Sequence, residues 1–121
     1  MSVMGMWTIF VDLDGTIFYQ DNTWNCNDNP ISSSVEKIRE WYGNGYYIVI
    51  TTSRPEVLRE DTEDGLRMNR IPYHRLIMGL PAKGGRVLVN DLGGSHEDIN
   101  SAAVGIEVKR NMGMGSLSFP S

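Results

Sequence analysis

Short apolar runs of strand length alternate with helix-length amphipathic segments along this chain, the pattern of a parallel α/β sheet. Five strands are expected. The first is Trp7-Thr8-Ile9-Phe10-Val11, which stops at an acidic turn closed by Gly15, and a polar, exposed and mobile loop is expected from there to Pro30. Ser33 with Glu36 three residues on forms a capping-box pattern, and Val35, Ile38, Trp41 and Tyr42 then share one helical face until Gly43 and Gly45 end it. Tyr46 to Thr51 reads as a fully buried strand. Pro55 at a first-turn position opens a second helix reaching about Asn69, its early part loop-like and its apolar positions sparse.

Arg75 to Met78 is expected as the third strand and Arg86-Val87-Leu88-Val89-Asn90 as the fourth. Ser95 caps a short helix carrying Ile99, Ala102 and Ala103, Gly105 closes it, and Ile106 to Val108 supplies the fifth strand. The chain divides into a single core over 1–110 and a Gly, Met and Ser rich tail over 111–121. That tail is expected to be flexible, with its Met and Phe residues able to fold back over apolar surface.

At 121 residues and 40% hydrophobic content the chain suits one domain with one core. A formal charge of −4 argues against a general nucleic-acid surface. The charge is uneven, however: Arg67, Arg70, Arg75, Lys83 and Arg86 fall in a stretch without an acid. Cys26 is the only cysteine, so no intramolecular disulfide is possible and a reducing, cytoplasmic setting is the simpler expectation. No apolar run approaches the ~20 residues that span a bilayer.

In sheets of this kind ligands bind beyond the carboxyl ends of the strands, so the polar residues there define the candidate chemistry. They are Asp12 and Asp14 after the first strand, Thr52 and Ser53 after the second, Lys83 before the fourth, and Asp91 closing the fourth. Three carboxylates in one place repel unless a cation or proton offsets them, and Mg²⁺ prefers such hard oxygen donors together with a substrate phosphate. Lys83 and the Thr52 hydroxyl would complement a phosphate dianion. Taken singly, the acidic turn, a loop lysine and a strand-end threonine each have an ordinary structural explanation; together they indicate metal plus phosphate. His74 and His96 lack the spacing of a zinc site.

Phe10-Val11-Asp12-Leu13-Asp14-Gly15-Thr16 resembles the first signature of the haloacid dehalogenase (HAD) superfamily, Ile48-Val49-Ile50-Thr51-Thr52-Ser53 the second, Lys83 the third and Val89-Asn90-Asp91 the fourth. Over most of its length the chain is similar to small capless members linked to capsular biosynthesis. The resemblance implies a HAD-like Rossmannoid three-layer sandwich with a five-stranded parallel sheet in the order 3-2-1-4-5 and no cap domain. It implies Asp12 as the nucleophile, forming an aspartyl-phosphate, and Asp14 as general acid and base. Thr52, Ser53, Lys83 and Leu13 would contact the phosphate, and Asp12, Asp14 (through its carbonyl) and Asp91 would hold Mg²⁺.

Two departures reduce the negative charge of that metal site: Asn90 and Ser95 stand where relatives carry acids, which implies weaker Mg²⁺ binding, with Asp98 a possible helper through water. The expected partner is a phosphorylated small molecule such as a sugar phosphate, with the Phe18 to Pro30 flap, the tail or a neighbouring subunit in a homo-oligomer covering the open site. The alternatives are a nucleic-acid end phosphatase, a receiver-like switch and a phosphate-binding module without turnover. The receiver reading is weakened because Arg75 to Met78 ends in Gly79 and not in an acid.

Overall fold

A computed structural model describes residues 7–21, 28–91 and 103–118. Its elements follow in the order β1 (Thr8–Asp12), α1 (Ser32–Gly43), β2 (Tyr47–Thr51), a single 3₁₀ turn (Glu56–Leu58) leading into α2 (Arg59–Met68), and β3 (Arg75–Ile77). The three strands form one parallel sheet in the order β1-β2-β3. Parallel neighbours need a crossover, and α1 and α2 supply the two. Register aligns the carboxyl ends: Asp12 stands opposite Thr51, and Thr51 opposite Ile77. The residues that follow each strand therefore emerge at one edge of the sheet.

Burial along the strands follows their place in the sheet. Ile48, Val49 and Ile50 are all buried because β2 is central and covered on both faces, as a continuous apolar run demands. β1 alternates instead: Val11 is buried and Ile9 half-buried, while Phe10 on the opposite side is 53% exposed. Val11, Ile48, Ile50 and Leu76 from the sheet meet Val35, Ile38 and Trp41 of α1 and Leu66 of α2 in one core. Each such side chain contributes roughly 1.5–3 kcal/mol by leaving water.

Several expectations are refined. α1 starts at Ser32 with Ile31 at its N-cap, and no side-chain cap bond forms, so the Ser33–Glu36 capping box is absent. The nearby hydroxyl of Ser34 is used elsewhere, donating to the Thr16 carbonyl at 2.5 Å. The C-terminal end is as expected, with Gly43 last in the helix and Gly45 at φ 93°. Tyr42 is not in the core; it is 41% exposed and stacks on His74, whose other face meets Tyr47.

The described sheet has three strands and not five. Residues 86–90 and 106–108 carry no ladder bonds, and Val87 and Val89 are each 89% exposed. Their β-branched composition favours extended backbone, but a strand also requires a partner edge, and here the outer edge of β1 has none among the described residues. The helix expected from Ser95, with His96 and Asp98, lies outside the described residues, as do Trp24 and Cys26. Residues of the C-terminal segment are packed against the core: Met114 is 3% exposed, and Val108 and Leu117 lie against the same cluster. No helix among the described residues is long and apolar enough to cross a membrane.

Candidate active site

The turn that follows β1 is tied by its own backbone. The Leu13 carbonyl accepts from the N–H groups of Thr16, Ile17 and Phe18 at 3.2, 2.8 and 3.1 Å, and the Gly15 N–H donates to the Phe18 carbonyl at 2.7 Å. Gly15 sits at φ 89°, a left-handed conformation that favours glycine. Leu13 itself is fully buried, and its N–H donates to the Thr51 carbonyl at 3.1 Å, so this position extends the pairing with β2. The flanking carboxylates of Asp12 and Asp14 are thereby fixed at the carboxyl edge of the sheet.

Asp12 keeps solvent contact as a residue. Its carboxylate accepts from the Thr16 hydroxyl at 3.3 Å. Burial nevertheless pushes the Asp12 carboxyl above its usual range; hydrogen bonding from the Leu13 N–H and Thr16, and the Arg86 charge, act in the opposite direction, and Asp14 adds to the rise. Asp12 thus carries an electrostatic burden that a bound cation would relieve.

Asp14 has a different environment. Arg54 grips it with two parallel bonds, Nε to Oδ2 at 3.0 Å and Nη2 to Oδ1 at 2.8 Å. The guanidinium is 3% exposed, and its Nη1 donates to Asp28 Oδ1 at 3.0 Å and to the Thr62 hydroxyl at 3.1 Å. It also lies 5.6 Å from the centre of the Phe18 ring. A buried guanidinium is tolerated only when its donors are used, and here two carboxylates and a hydroxyl use them. Gripped in this way, the Asp14 carboxyl is held in one orientation.

Thr52 is buried where β2 ends. Its hydroxyl donates to Asp14 Oδ2 at 3.5 Å and accepts from the Arg54 N–H at 3.0 Å, so it serves both the strand end and the carboxylate. Ser53 beside it is exposed. The structure therefore brings together Asp12, Asp14, Leu13 and Thr52. Lys83 and Asp91 lie in the exposed 81–91 segment, and no ion pair joins Lys83 to either aspartate. Among the described residues no three acidic, histidine or cysteine side chains form a metal-holding group, so Asp91 does not join Asp12 and Asp14. As a donor set, Asp12 is a hard-oxygen ligand under an unfavourable desolvation and fits a divalent cation such as Mg²⁺.

Two residues of this site carried little sequence signal. Arg54 follows a strand end as many solvated arginines do; the cue was its position beside Thr52 and opposite an excess of acids. Asp28 sits in an Asn-rich loop, and only the fold shows why it is there. The loop leaves and returns through a short neck, in which Tyr19 N–H donates to the Asn29 carbonyl at 2.9 Å and Ile31 N–H to the Ile17 carbonyl at 2.8 Å. That neck delivers Asp28 to Arg54, and the Asn69 amide of α2's C-cap reaches the Asp28 carbonyl at 3.4 Å.

A solved crystal structure of a target protein from Vibrio cholerae is similar to this chain, with a TM-score of 0.52, 26% sequence identity, and coverage of 68% of this chain and 79% of that one. No protein-family model matches the chain. No curated protein matches it either. Together with the observed sheet, the likeness supports an α/β fold of Rossmann-like character.

Proposed function

We propose that the chain is a Mg²⁺-dependent phosphohydrolase acting on phosphomonoesters, with Asp12 as nucleophile and Asp14 as general acid and base. The observation that carries this reading is the unequal treatment of two carboxylates on one turn. Asp14 is clamped by Arg54 and Thr52, whereas Asp12 has one side-chain hydrogen bond and is desolvated. A carboxylate with few partners is available to attack, and one fixed in a single orientation beside it can pass a proton to and from a defined point.

In the first step an Asp12 carboxylate oxygen bonds to phosphorus as the bond to the ester oxygen breaks, and Asp14 delivers a proton to that leaving oxygen. In the second, water attacks phosphorus, Asp14 takes the proton back, and the Asp12–phosphate bond breaks to release inorganic phosphate. The two bonds from Arg54 keep the Asp14 carboxyl in one orientation for these transfers. Thr52, Ser53 and Lys83 are the proposed phosphate contacts; Leu13, fully buried with its N–H bonded to the Thr51 carbonyl, is not one. Mg²⁺ would be held by Asp12, Asp91 and the Asp14 carbonyl, and when bound supplies charge neutralisation for the transferring phosphoryl group.

This reading requires Asp91 at the same edge as Asp12. Pairing of Arg86–Asn90 with the outer edge of β1 would place it there, completing a HAD-like three-layer sandwich in the order 3-2-1-4-5 without a cap. Arg86 already lies close enough for its charge to influence Asp12. A sugar phosphate or similar small phosphomonoester in the cytoplasm is the proposed substrate, and a neighbouring subunit is one way to cover the open site.

The test is phosphate release from sugar phosphates, nucleotides and 3′-phosphorylated oligonucleotides, with and without Mg²⁺, comparing wild type with Asp12→Asn. Magnesium-dependent turnover that disappears in the variant is the expected result. Best turnover on oligonucleotides, sensitive to salt, would instead select the nucleic-acid end phosphatase. An absence of turnover throughout would leave a phosphate-binding or switch module.

A further inference from the structure

We propose that Asn111 is a positioning residue for the acidic turn: it holds the limb from Gly15 to Gln20 in place, and through it the two aspartates. Three hydrogen bonds carry the argument. The Asn111 N–H donates to the Gly15 carbonyl at 2.7 Å. Its side-chain Oδ1 accepts from the Gln20 N–H at 2.7 Å, and its Nδ2 donates to the Gln20 carbonyl at 2.8 Å. Both partners at Gln20 are backbone groups of fixed polarity, so the orientation of the amide is determined by chemistry.

The side chain thus acts as a peptide group, making with Gln20 the two bonds that a paired strand would make. It reaches that place because Asn111 lies at φ 65°, a left-handed conformation that asparagine tolerates better than most residues. A second path runs in parallel. The Met114 N–H donates to Ser34 Oγ at 3.1 Å, and Ser34 Oγ in turn donates to the Thr16 carbonyl. Met114 itself is buried in the core, which anchors the segment.

The acidic turn is therefore held from within by the Leu13 carbonyl and from outside by a segment 91 positions further along. A tether serving the fold alone would need only the buried Met114 and its contacts. The bonds of Asn111 go instead to the residue after Asp14 and to the exit of the turn, and act on the Asp12–Asp14 geometry through that limb. The effect on turnover rests on the phosphohydrolase reading; the effect on the turn does not.

Asn111→Gly preserves the left-handed backbone and removes only the side-chain bonds, while Asn111→Asp sets an acceptor against the Gln20 carbonyl. Both are compared with wild type by amide hydrogen exchange and by steady-state kinetics on the best phosphomonoester. Exchange at the Gln20 amide is expected to quicken about tenfold or more, with Ile48 and Ile50 in β2 unchanged as a check that the sheet is intact. The kcat is expected to fall about tenfold with KM within twofold, since positioning is lost and binding is not. Unchanged Gln20 exchange in both variants overturns the proposal, as does full kcat in Asn111→Gly. If wild type shows no turnover, the phosphohydrolase reading fails, and the Gln20 exchange alone decides for or against the positioning role.

Discussion

Arg54 and Asp14, forty positions apart, meet fork to fork, with both guanidinium–carboxylate bonds at 3.0 Å or shorter and the arginine almost wholly buried. The planar, two-pronged geometry is one that lysine cannot reproduce. Arg54→Lys is therefore expected to keep the fold but lower kcat by about two orders of magnitude, because Asp14 loses its fixed orientation. Arg54→Ala leaves Asp14 and Asp28 without their shared cation, and should destabilise the protein by about 3 kcal/mol in thermal or urea denaturation. Equal kcat in wild type and Arg54→Lys would show that the fork does not orient Asp14 for reaction.

Asp12 is expected to weaken the fold that positions it. In the folded chain its carboxyl is raised from 3.8, mainly by desolvation, so over the interval between that value and the raised one the folded state binds more protons than the unfolded state. Stability then falls as pH climbs through the interval, and the penalty is constant above it. Asp12→Asn removes the penalty. In metal-free buffer at neutral pH its melting temperature should exceed that of wild type, by a margin that solvent screening of this exposed residue keeps small, the gap closing toward about pH 4, while phosphate release is lost. A variant melting below wild type at pH 7 would contradict this account.

Gly65 lies inside α2, where alanine would ordinarily gain about 1 kcal/mol of helix stability. A methyl group there would meet the Asp28 carboxylate, which is held in place by Arg54. Gly65→Ala is consequently expected to destabilise the wild-type chain but to stabilise one that already carries Asp28→Ala. A double-mutant cycle read by chemical denaturation tests this, and additivity of the two changes would mean that Asp28 does not rest on the helix.

If Arg86–Asn90 completes the sheet, amides of Val87, Leu88 and Val89 should be protected from hydrogen exchange when Mg²⁺ and a phosphate mimic are present. Protection should extend to the outer edge of β1, and Asp91→Ala should reduce it. Exchange at those amides as fast as in the unfolded chain, with ligand bound, would count against the fourth strand.

The elements that were legible in the sequence are those whose signal is local. β1, β2, β3 and both helices follow from run length, amphipathic spacing and the glycines that end α1. The acidic turn was legible because Asp12, Asp14 and Gly15 are contiguous. Arg54, Asp28 and Asn111 were not, since their roles depend on partners 40, 26 and 91 positions away that only the folded chain brings near. The Ser33 cap failed for a related reason. A capping pattern states what a hydroxyl can do locally, whereas the first turn of α1 lies against the acidic turn and residues 113–115, and its Ser34 hydroxyl is drawn to both. Arg86 to Asn90 shows the converse, with strand composition present and the pairing that defines a strand absent from the described sheet.

The outer edge of β1 also bears on how the chain behaves in a cell. A row of peptide groups beside an exposed Phe10 is a template on which any extended segment can add, including one from another copy. A polypeptide ending near Met78 would keep β1, β2 and β3 while lacking Val87 to Val89, the stretch best suited to cover that row. If residues 86–90 do pair with that edge, such a fragment is expected to collect in insoluble aggregates on overproduction to a greater extent than the full chain, and Phe10→Lys should return part of it to the soluble fraction.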